Sequence, residues 1–101
     1  MKPIIQTVHF TADKKLLEFI EERILKLNTF FDGIIGCEVI LKLEKSEDSG
    51  NKVAEIKLKI SGKELFAKKH CFTFEEAVDN SIDALRAQLK KHKEKRDQEK
   101  Y

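Results

Sequence analysis

The chain has 101 residues, of which 41% are hydrophobic and 38% are charged, and its formal net charge is +2. This length predicts a single domain, and the hydrophobic content is too high for an intrinsically disordered chain. No apolar stretch is long enough to cross a membrane, and the N-terminus lacks the apolar segment of a signal peptide. We therefore expect a soluble, cytoplasmic protein with one small core.

The first two predicted elements are a strand and an amphipathic helix. Residues 4–10 alternate in polarity, which is typical of a strand with one buried face. We expect that face to contain Ile4, Val8 and Phe10. Asp13 is the expected N-cap of the helix. The apolar stripe of the helix repeats every three or four residues and consists of Leu16, Ile20, Ile24, Leu27 and Phe31. We expect the helix to end at Asp32-Gly33, with Gly33 in the left-handed conformation.

Three more strands are predicted before the second helix. The first covers residues 37–43, and the second follows a polar connection at residues 46–51. A tight hairpin at Gly62-Lys63 leads into the third, at about residues 64–69. The residues predicted to point inward are Cys37, Val39, Leu41, Leu43, Ala54, Ile56, Leu58, Ile60, Leu65 and Ala67.

The second helix has a defined start, because Thr73-x-x-Glu76 has the pattern of a capping box. Its apolar stripe consists of Phe74, Val78, Ile82 (or Ser81), Leu85 and Leu89. We expect the helical core to end near Lys91. Residues 1–93 would then form the single domain, and residues 94–101 a charged, flexible tail.

The element order β-α-β-β-β-α predicts an α+β fold. Each helix has a single apolar face, so we expect a four-stranded sheet with both helices packed on one face. The other face of the sheet would be charged and solvated. The predicted core includes Ile20, Ile24, Leu27, Leu41, Ile56, Leu58, Val78, Leu85 and Leu89.

The sequence does not indicate a catalytic or metal site. Its three histidines lie on three different predicted elements without metal-ligand spacing, and no nucleophile motif or glycine-rich phosphate loop is found. Carboxylates are interleaved with lysines, which is typical of exposed ion pairs. We expect both cysteines to be reduced, Cys37 as a core residue and Cys71 as an ordinary loop residue. Enzymatic activity is therefore not expected.

Positive charge is concentrated at the C-terminal end of the chain. Residues 86–101 contain seven basic and three acidic residues, a net charge of +4, whereas residues 1–85 have a net charge of −2. On the predicted helices the basic residues form rows: Arg86, Lys90 and Lys93; Lys91 and Lys95; and Arg23 and Lys26. If the helices lie side by side, these rows form one surface suited to a phosphate backbone. From the charge pattern alone, a solvated face with local ion pairs is an equal alternative.

Two groups of motifs carry a resemblance. The first group is LLEFI (residues 16–20), KL (26–27), FFD (30–32) and VILKLEK (39–45). The second is AVD (77–79), ID (82–83) and QLKKHK (88–93). In this order and at this separation they resemble the first helix, second strand and second helix of the hibernation-promoting and ribosome-associated inhibitor family. The resemblance covers essentially the whole chain, and the predicted element order is the family's own.

The resemblance implies a protein that acts by binding. Its partner would be the small ribosomal subunit and its ribosomal RNA. The protein would dock in the decoding channel and sterically block mRNA and tRNA, so that translation is inhibited in stress or stationary phase. No cofactor, small-molecule substrate or membrane would take part, and the free protein would be a monomer. Because the sequence ends at Tyr101, it resembles the short form of the family.

Individual positions carry over unevenly. Ala84 and Ala87 stand where the family typically has Lys and Arg, although neighbouring basic residues can supply the charge. The predicted RNA-binding residues are Arg23, Lys26, Arg86, Lys90, Lys91 and Lys93. Two alternatives stay open from the residues alone: a module that binds an acidic protein partner, and a double-stranded-RNA-binding domain.

Overall fold

The structure, a computed structural model, describes residues 2–45, 48 and 50–98. For residues 96–98 it describes the backbone only. Its elements are β1 (Ile4–Val8), α1 (Lys14–Phe30), β2 (Ile34–Leu43), β3 (Lys52–Ile60), β4 (Lys63–Cys71) and α2 (Phe74–Gln98). Two predicted segments lie partly outside the described residues. These are the polar connection, at residues 46, 47 and 49, and the tail, at residues 99–101. The observed order confirms the predicted β-α-β-β-β-α fold.

The four strands form one sheet in the order β1-β2-β3-β4, in which β1 and β2 are parallel and the other two pairs are antiparallel. Alternate residues of the strands join the apolar stripes of both helices in a single core. Both helices therefore cover the same face of the sheet, as predicted. All nine residues predicted for the core are at most 1% exposed.

The strand directions determine how the helices run. Because β1, β2 and β4 point the same way, α1 after β1 and α2 after β4 both return in the opposite direction. Contacts between the helices confirm that they are parallel, since Arg23 meets Asp79, and Phe30, further along α1, meets Arg86, further along α2. The C-terminal end of α1 therefore lies beside the second half of α2.

The predicted buried face of β1 is wrong. Ile4 and Val8 are 58% and 38% exposed, whereas Ile5 and Thr7 are partly buried on the helix side. β1 is short and has apolar residues on both faces, so its alternation alone does not identify the inner one. His9 has a positive φ of 69°. This residue follows the strand and interrupts the alternation, and the next one, Phe10, stacks on Phe74 with ring centroids 4.5 Å apart.

The end of α1 also differs from the prediction. Asp13 caps the beginning as expected, because its carboxylate accepts a hydrogen bond of 2.8 Å from the Leu16 N–H. At the other end Phe31 is extended, with φ −140°, and donates its N–H to the Leu27 carbonyl. The positive-φ glycines of the described chain do not include Gly33. A Cβ at Gly33 would lie 2.7 Å from a carbon of the Phe31 ring, so a glycine there accommodates the ring.

The cysteine predictions were half right. Cys37 is buried as predicted, and burial raises the pKa of its thiol to about 12, so the thiol is protonated at neutral pH. Cys71 does not lie in a loop. It is the last residue of β4, is buried in the core, and its Sγ accepts a hydrogen bond of 3.3 Å from the Asn80 amide. The strand was predicted to end at about residue 69, which left Cys71 outside it.

The start of α2 confirms its predicted N-cap, because the Glu76 N–H donates to the Thr73 hydroxyl at 3.1 Å. Both candidates for the middle of its stripe, Ser81 and Ile82, are buried, and the Ser81 hydroxyl reaches the Ala54 carbonyl at 3.5 Å. The helix continues past Lys91 to Gln98. The division into a domain of residues 1–93 and a flexible tail of residues 94–101 stays a prediction.

Replacing Leu85 by Ala tests the packing of α2 on the sheet. Leu85 is fully buried, so its truncation should lower the free energy of unfolding by about 2–5 kcal/mol. Leu25→Ala is the matched control, because Leu25 lies on α1 but is 60% exposed and should change stability by less than about 0.5 kcal/mol. Chemical denaturation of both variants measures the difference. Equal effects would contradict the assigned helix register.

Gly50 offers a second test, at the connection between β2 and β3. Its φ is +86°, and a Cβ there would collide with the Cys71 backbone carbonyl. Gly50→Ala should cost at least about 1–2 kcal/mol from the backbone conformation alone. For Gly36→Ala the nearest heavy atom is 4.0 Å away and φ is not positive, so the change should stay within about 1 kcal/mol. Thermal unfolding of the two variants should separate them, and a tolerated Gly50→Ala would contradict this close approach.

Candidate nucleic-acid interface

The parallel helices bring predicted site residues from both together. We define the interhelix surface as Lys26, Phe30, Arg86, Lys90 and Lys93. The Arg86 guanidinium lies 5.1 Å from the centroid of the Phe30 ring. Lys93 borders a small cavity together with residues 29–32 at the end of α1. Lys26 precedes Phe30 by one helical turn, and Lys90 lies between Arg86 and Lys93 on α2, so the surface is continuous along both helices.

Arg23 has a different position from the other predicted residues. Its Nε donates to Asp79 Oδ1 of α2 at 2.9 Å, and the same guanidinium lies 3.6 Å from Glu22 and 4.3 Å from the centroid of the Phe19 ring. The side chain is 31% exposed. Arg23 therefore ties the two helices together, and much of its charge is already compensated.

Lys26 also has an acidic neighbour, but a weaker one. Its Nζ lies 3.6 Å from Glu22 Oε1 on the next turn, and its side chain is 65% exposed. Exposed pairs of this kind contribute about 0–1 kcal/mol, because water and salt screen them. The ammonium group of Lys26 therefore stays available to another anion.

The predicted cations of α2 form no close ion pair with the described carboxylates. Within the described part of the chain, no carboxylate lies within 4.0 Å of the charged groups of Arg86, Lys90, Lys91 or Lys93. Arg86 and Lys93 lie against the end of α1, and helical spacing places Lys90 on the same flank of α2. Lys91 lies on the other flank of the helix, near the β3–β4 hairpin. The structure thus brings together five of the six predicted residues along the helix pair, with Lys91 apart.

Two residues of this region were missed by the charge pattern. Asp79 is 56 positions from Arg23, and only the parallel helix pair places them in contact. Phe30 is 41% exposed beneath the Arg86 guanidinium. One signal for it was present in the sequence, since an apolar residue four positions after Lys26 falls on the exposed side of an otherwise amphipathic helix.

A comparison with protein families identifies the chain. Residues 4–97 match the family described as "Sigma 54 modulation protein / S30EA ribosomal protein". The chain belongs to this family. Members of this family are non-enzymatic, which confirms that the chain is not an enzyme.

Relatives and solved structures agree with this assignment. The "Ribosome hibernation promoting factor" of Pseudomonas putida is 33% identical over 95 residues, which cover 94% of this chain and 89% of that protein. The protein of the same name from Escherichia coli K12 is 35% identical over 80 residues, or 79% and 80% of the two chains.

The fold is similar to that of two solved structures. A ribosomal subunit interface protein from Coxiella burnetii matches with a TM-score of 0.81 and 20% identity, over 92% of this chain and 98% of that one. The N-terminal domain of Protein Y from Thermus thermophilus matches with a TM-score of 0.74 and 19% identity, over 87% and 93%. At these identities the likeness concerns the fold.

The face of the sheet that the helices leave open differs from the interhelix surface in how its charges are arranged. Lys42 lies 2.6 Å from Glu55 and 3.2 Å from Glu44, and His70 Nε2 lies 3.0 Å from the other oxygen of Glu44. Hydrogen bonds to Glu55 and then Glu44 raise the pKa of Lys42. Val53, which pairs with Lys42 and His70 in the sheet, is fully buried. This face is charged as predicted, but its charges largely compensate one another.

Neither a metal site nor a membrane segment is found within the described residues. They contain no group of three His, Cys, Asp or Glu side chains that could hold a metal ion. None of the helices formed by these residues is both long and apolar enough to span a membrane.

The paired sheet face predicts a pH dependence of stability. The hydrogen bond from His70, and then that from Lys42, lowers the pKa of Glu44 below its ordinary value of 4.5. Because the pKa of Glu44 is lower in the folded state, its ionised carboxylate contributes fully to the free energy of unfolding above pH 4.5. This contribution is lost as the pH falls through the lowered pKa of the folded state. The difference in free energy of unfolding between the native protein and Glu44→Gln should therefore decrease as the pH falls below 4.5.

Denaturant titrations of both proteins across this range measure the effect. Glu64→Gln is the control, since Glu64 lies on the same face without an ion pair among the described residues. An advantage over Glu44→Gln that stays constant with pH would contradict the pairing.

Proposed function

We propose that this protein is a ribosome hibernation factor that binds ribosomal RNA of the small subunit through the interhelix surface. The observation that carries the proposal is the uncompensated row of Arg86, Lys90 and Lys93 beside the exposed Phe30 ring. The names of the relatives, a ribosome hibernation promoting factor and a ribosomal subunit interface protein, support the ribosome as partner.

The chemistry of the surface suits RNA phosphates. Each phosphate that Lys or Arg neutralises releases condensed counterions, so several adjacent cations act together. The guanidinium of Arg86 can bind a phosphate through two parallel hydrogen bonds, and its position over Phe30 limits the conformations it must give up. The exposed part of the Phe30 ring offers a platform on which an unpaired base can stack.

The six predicted residues have unequal roles in this proposal. Arg86, Lys90 and Lys93 provide the main phosphate contacts, and Lys26 extends them onto α1. Arg23 holds the two helices together through Asp79 and offers only its exposed part to RNA. The sixth residue, Lys91, contacts phosphate from the opposite flank of α2.

The proposed mechanism is steric. The protein would occupy the decoding channel between the head and body of the small subunit, where mRNA and tRNA would otherwise lie. Its flat body, with Cα extents of 48 × 28 × 18 Å, is compatible with insertion between two larger bodies. It would act in the cytoplasm, as a monomer when free, and would inhibit translation in stress or stationary phase without chemically altering its partner.

The proposal predicts a salt-dependent affinity for small subunits that depends on α2. In Lys90→Gln/Lys93→Gln, each lost phosphate contact should reduce the slope of log affinity against log salt by about 0.7 to 0.9. The matched control is Lys15→Gln/Lys45→Gln, because these exposed lysines lie at the opposite end of the molecule. Co-sedimentation with purified small subunits at several salt concentrations provides the affinities.

The outcomes separate this proposal from its rivals. An unchanged slope in the α2 variant would contradict the interhelix surface as the RNA site. Binding that survives RNase digestion of the partner would indicate an acidic protein instead. Equally tight binding to isolated RNA duplexes would indicate a general double-stranded-RNA-binding domain.

A further inference from the structure

β4 forms one edge of the sheet and is the longer of the two edge strands. It has nine residues, whereas β1 at the other edge has five. An edge strand presents a row of backbone N–H and C=O groups that no neighbouring strand binds, so a long edge is a template for pairing with another chain. The outer edge of β4 is therefore a surface that a further strand can extend.

A side chain of α2 covers this edge at one position. The Gln88 amide donates a solvent-exposed hydrogen bond of 3.0 Å to the Phe66 carbonyl. The inner edge of β4 is paired with β3 along its whole length, so a carbonyl that α2 reaches in this way lies on the outer edge. Backbone groups of alternate residues point to the same edge of a strand. The N–H and C=O groups of Glu64, Phe66 and Lys68 therefore all point outward.

The side chains of these three residues are complementary to a second copy of themselves. They lie on the open face of the sheet, where the Phe66 side chain is 50% exposed. In an antiparallel, two-fold pair of β4 strands centred on Phe66, the two Phe66 rings lie opposite each other. Each Glu64 then lies opposite Lys68 of the second copy. Aromatic pairs and pairs of opposite charge are stabilising across neighbouring strands, whereas like charges are destabilising.

Both charged residues can take part in this pairing. Glu64 forms no ion pair among the described residues. The Lys68 Nζ lies 3.9 Å from an oxygen of Glu44, and the same oxygen lies 3.2 Å from the Lys42 Nζ. The Lys68 side chain is 38% exposed, so water and salt weaken its long contact with Glu44. Its ammonium group is therefore able to turn to a carboxylate across the edge.

The Gln88 hydrogen bond occupies the centre of this arrangement. In a two-fold pair centred on Phe66, the two Phe66 residues exchange both of their backbone hydrogen bonds. The carbonyl that would accept from the second copy is the one that already accepts from Gln88. The Gln88 side chain and a second strand therefore compete for one acceptor.

We propose that the outer edge of β4 pairs with β4 of a second copy of this chain, and that Gln88 holds this edge closed in the free monomer. The second copy is the occupant because the order Glu64, Phe66, Lys68 is complementary to its own reverse. Such a contact is isologous, and displacement of Gln88 joins two four-stranded sheets into one of eight strands. The inference does not depend on ribosome binding.

Replacing Gln88 by Ala tests whether this residue closes the edge. The dissociation constant of the dimer should fall by about 5- to 150-fold, because native dimerisation breaks two Gln88 hydrogen bonds and dimerisation of the variant breaks neither. Sedimentation velocity over a range of protein concentrations measures the constant. Ala is a good helix former, so circular dichroism should show the native helix content.

Charge exchange tests the register. In the Gln88→Ala background, Glu64→Lys alone and Lys68→Glu alone should each weaken the dimer, because like charges then meet across the edge. The combination Glu64→Lys/Lys68→Glu should restore it. Glu38→Lys is the matched control, since Glu38 is exposed on β2 of the same sheet, two strands from the edge, and should leave the dimer unchanged.

Residue-specific amide hydrogen exchange gives a measurement that requires no substitution at the edge itself. In Gln88→Ala the outward amides of Glu64, Phe66 and Lys68 should exchange more slowly as the protein concentration rises. The Leu65 amide, which points to β3, should not change with concentration. The native protein should show the same trend at higher concentrations.

Three results would overturn the inference. The first is a Gln88→Ala protein that stays as monomeric as the native one at every concentration. The second is a dimer that Glu64→Lys does not weaken, or that the double exchange does not restore, because such a dimer uses another surface. The third is outward amides whose exchange is independent of concentration while the protein dimerises.

Discussion

The packing of α1 and α2 on one face of the sheet determines where every candidate functional group lies. β1 and β4 run in the same direction, so the helices that follow them also run parallel to each other, and the end of α1 lies beside the second half of α2. The carbonyl end of a helix has a partial negative charge, which stabilises nearby cations. Lys93 borders the end of α1, where such a partial charge would favour an ammonium group. The fold thus places a cation of α2 beside a helix end that favours positive charge.

The two faces of the molecule differ in whether their charged side chains form ion pairs. On the sheet face, Lys42 and His70 share the carboxylate of Glu44, and Glu55 completes the pairing. On the helix side, Arg86 meets an aromatic ring and no carboxylate within the described residues. A small net charge of +2 therefore conceals a polarised molecule. On the proposed RNA partner, this polarity would favour binding through the helix side, because unpaired cations and not total charge determine counterion release.

The elements predicted correctly from the sequence are those with a long and regular hydrophobic periodicity. The stripes of both helices, the alternation of β2 and β3 and the capping residues Asp13 and Thr73 are local signals, and each was confirmed. β1 was assigned the wrong face because a short edge strand with Ile4 and Ile5 side by side has no unique inner side. Gly33 was misinterpreted because its role depends on the position of the Phe31 ring, which sequence spacing does not reveal.

The candidate site was predictable in its residues but not in its contacts. Arg86, Lys90 and Lys93 form a row from helical spacing alone, whereas the pairing of Arg23 with Asp79 and the contact of Arg86 with Phe30 depend on packing between distant segments.

The most direct test of the central claim is a cryo-electron microscopy structure of the protein bound to the small ribosomal subunit. We expect the protein in the channel between head and body, with Arg86, Lys90 and Lys93 at hydrogen-bonding distance from RNA phosphates. The sheet face should make fewer phosphate contacts. A complex in which the sheet face lies on the RNA and the helices face solvent would contradict the claim.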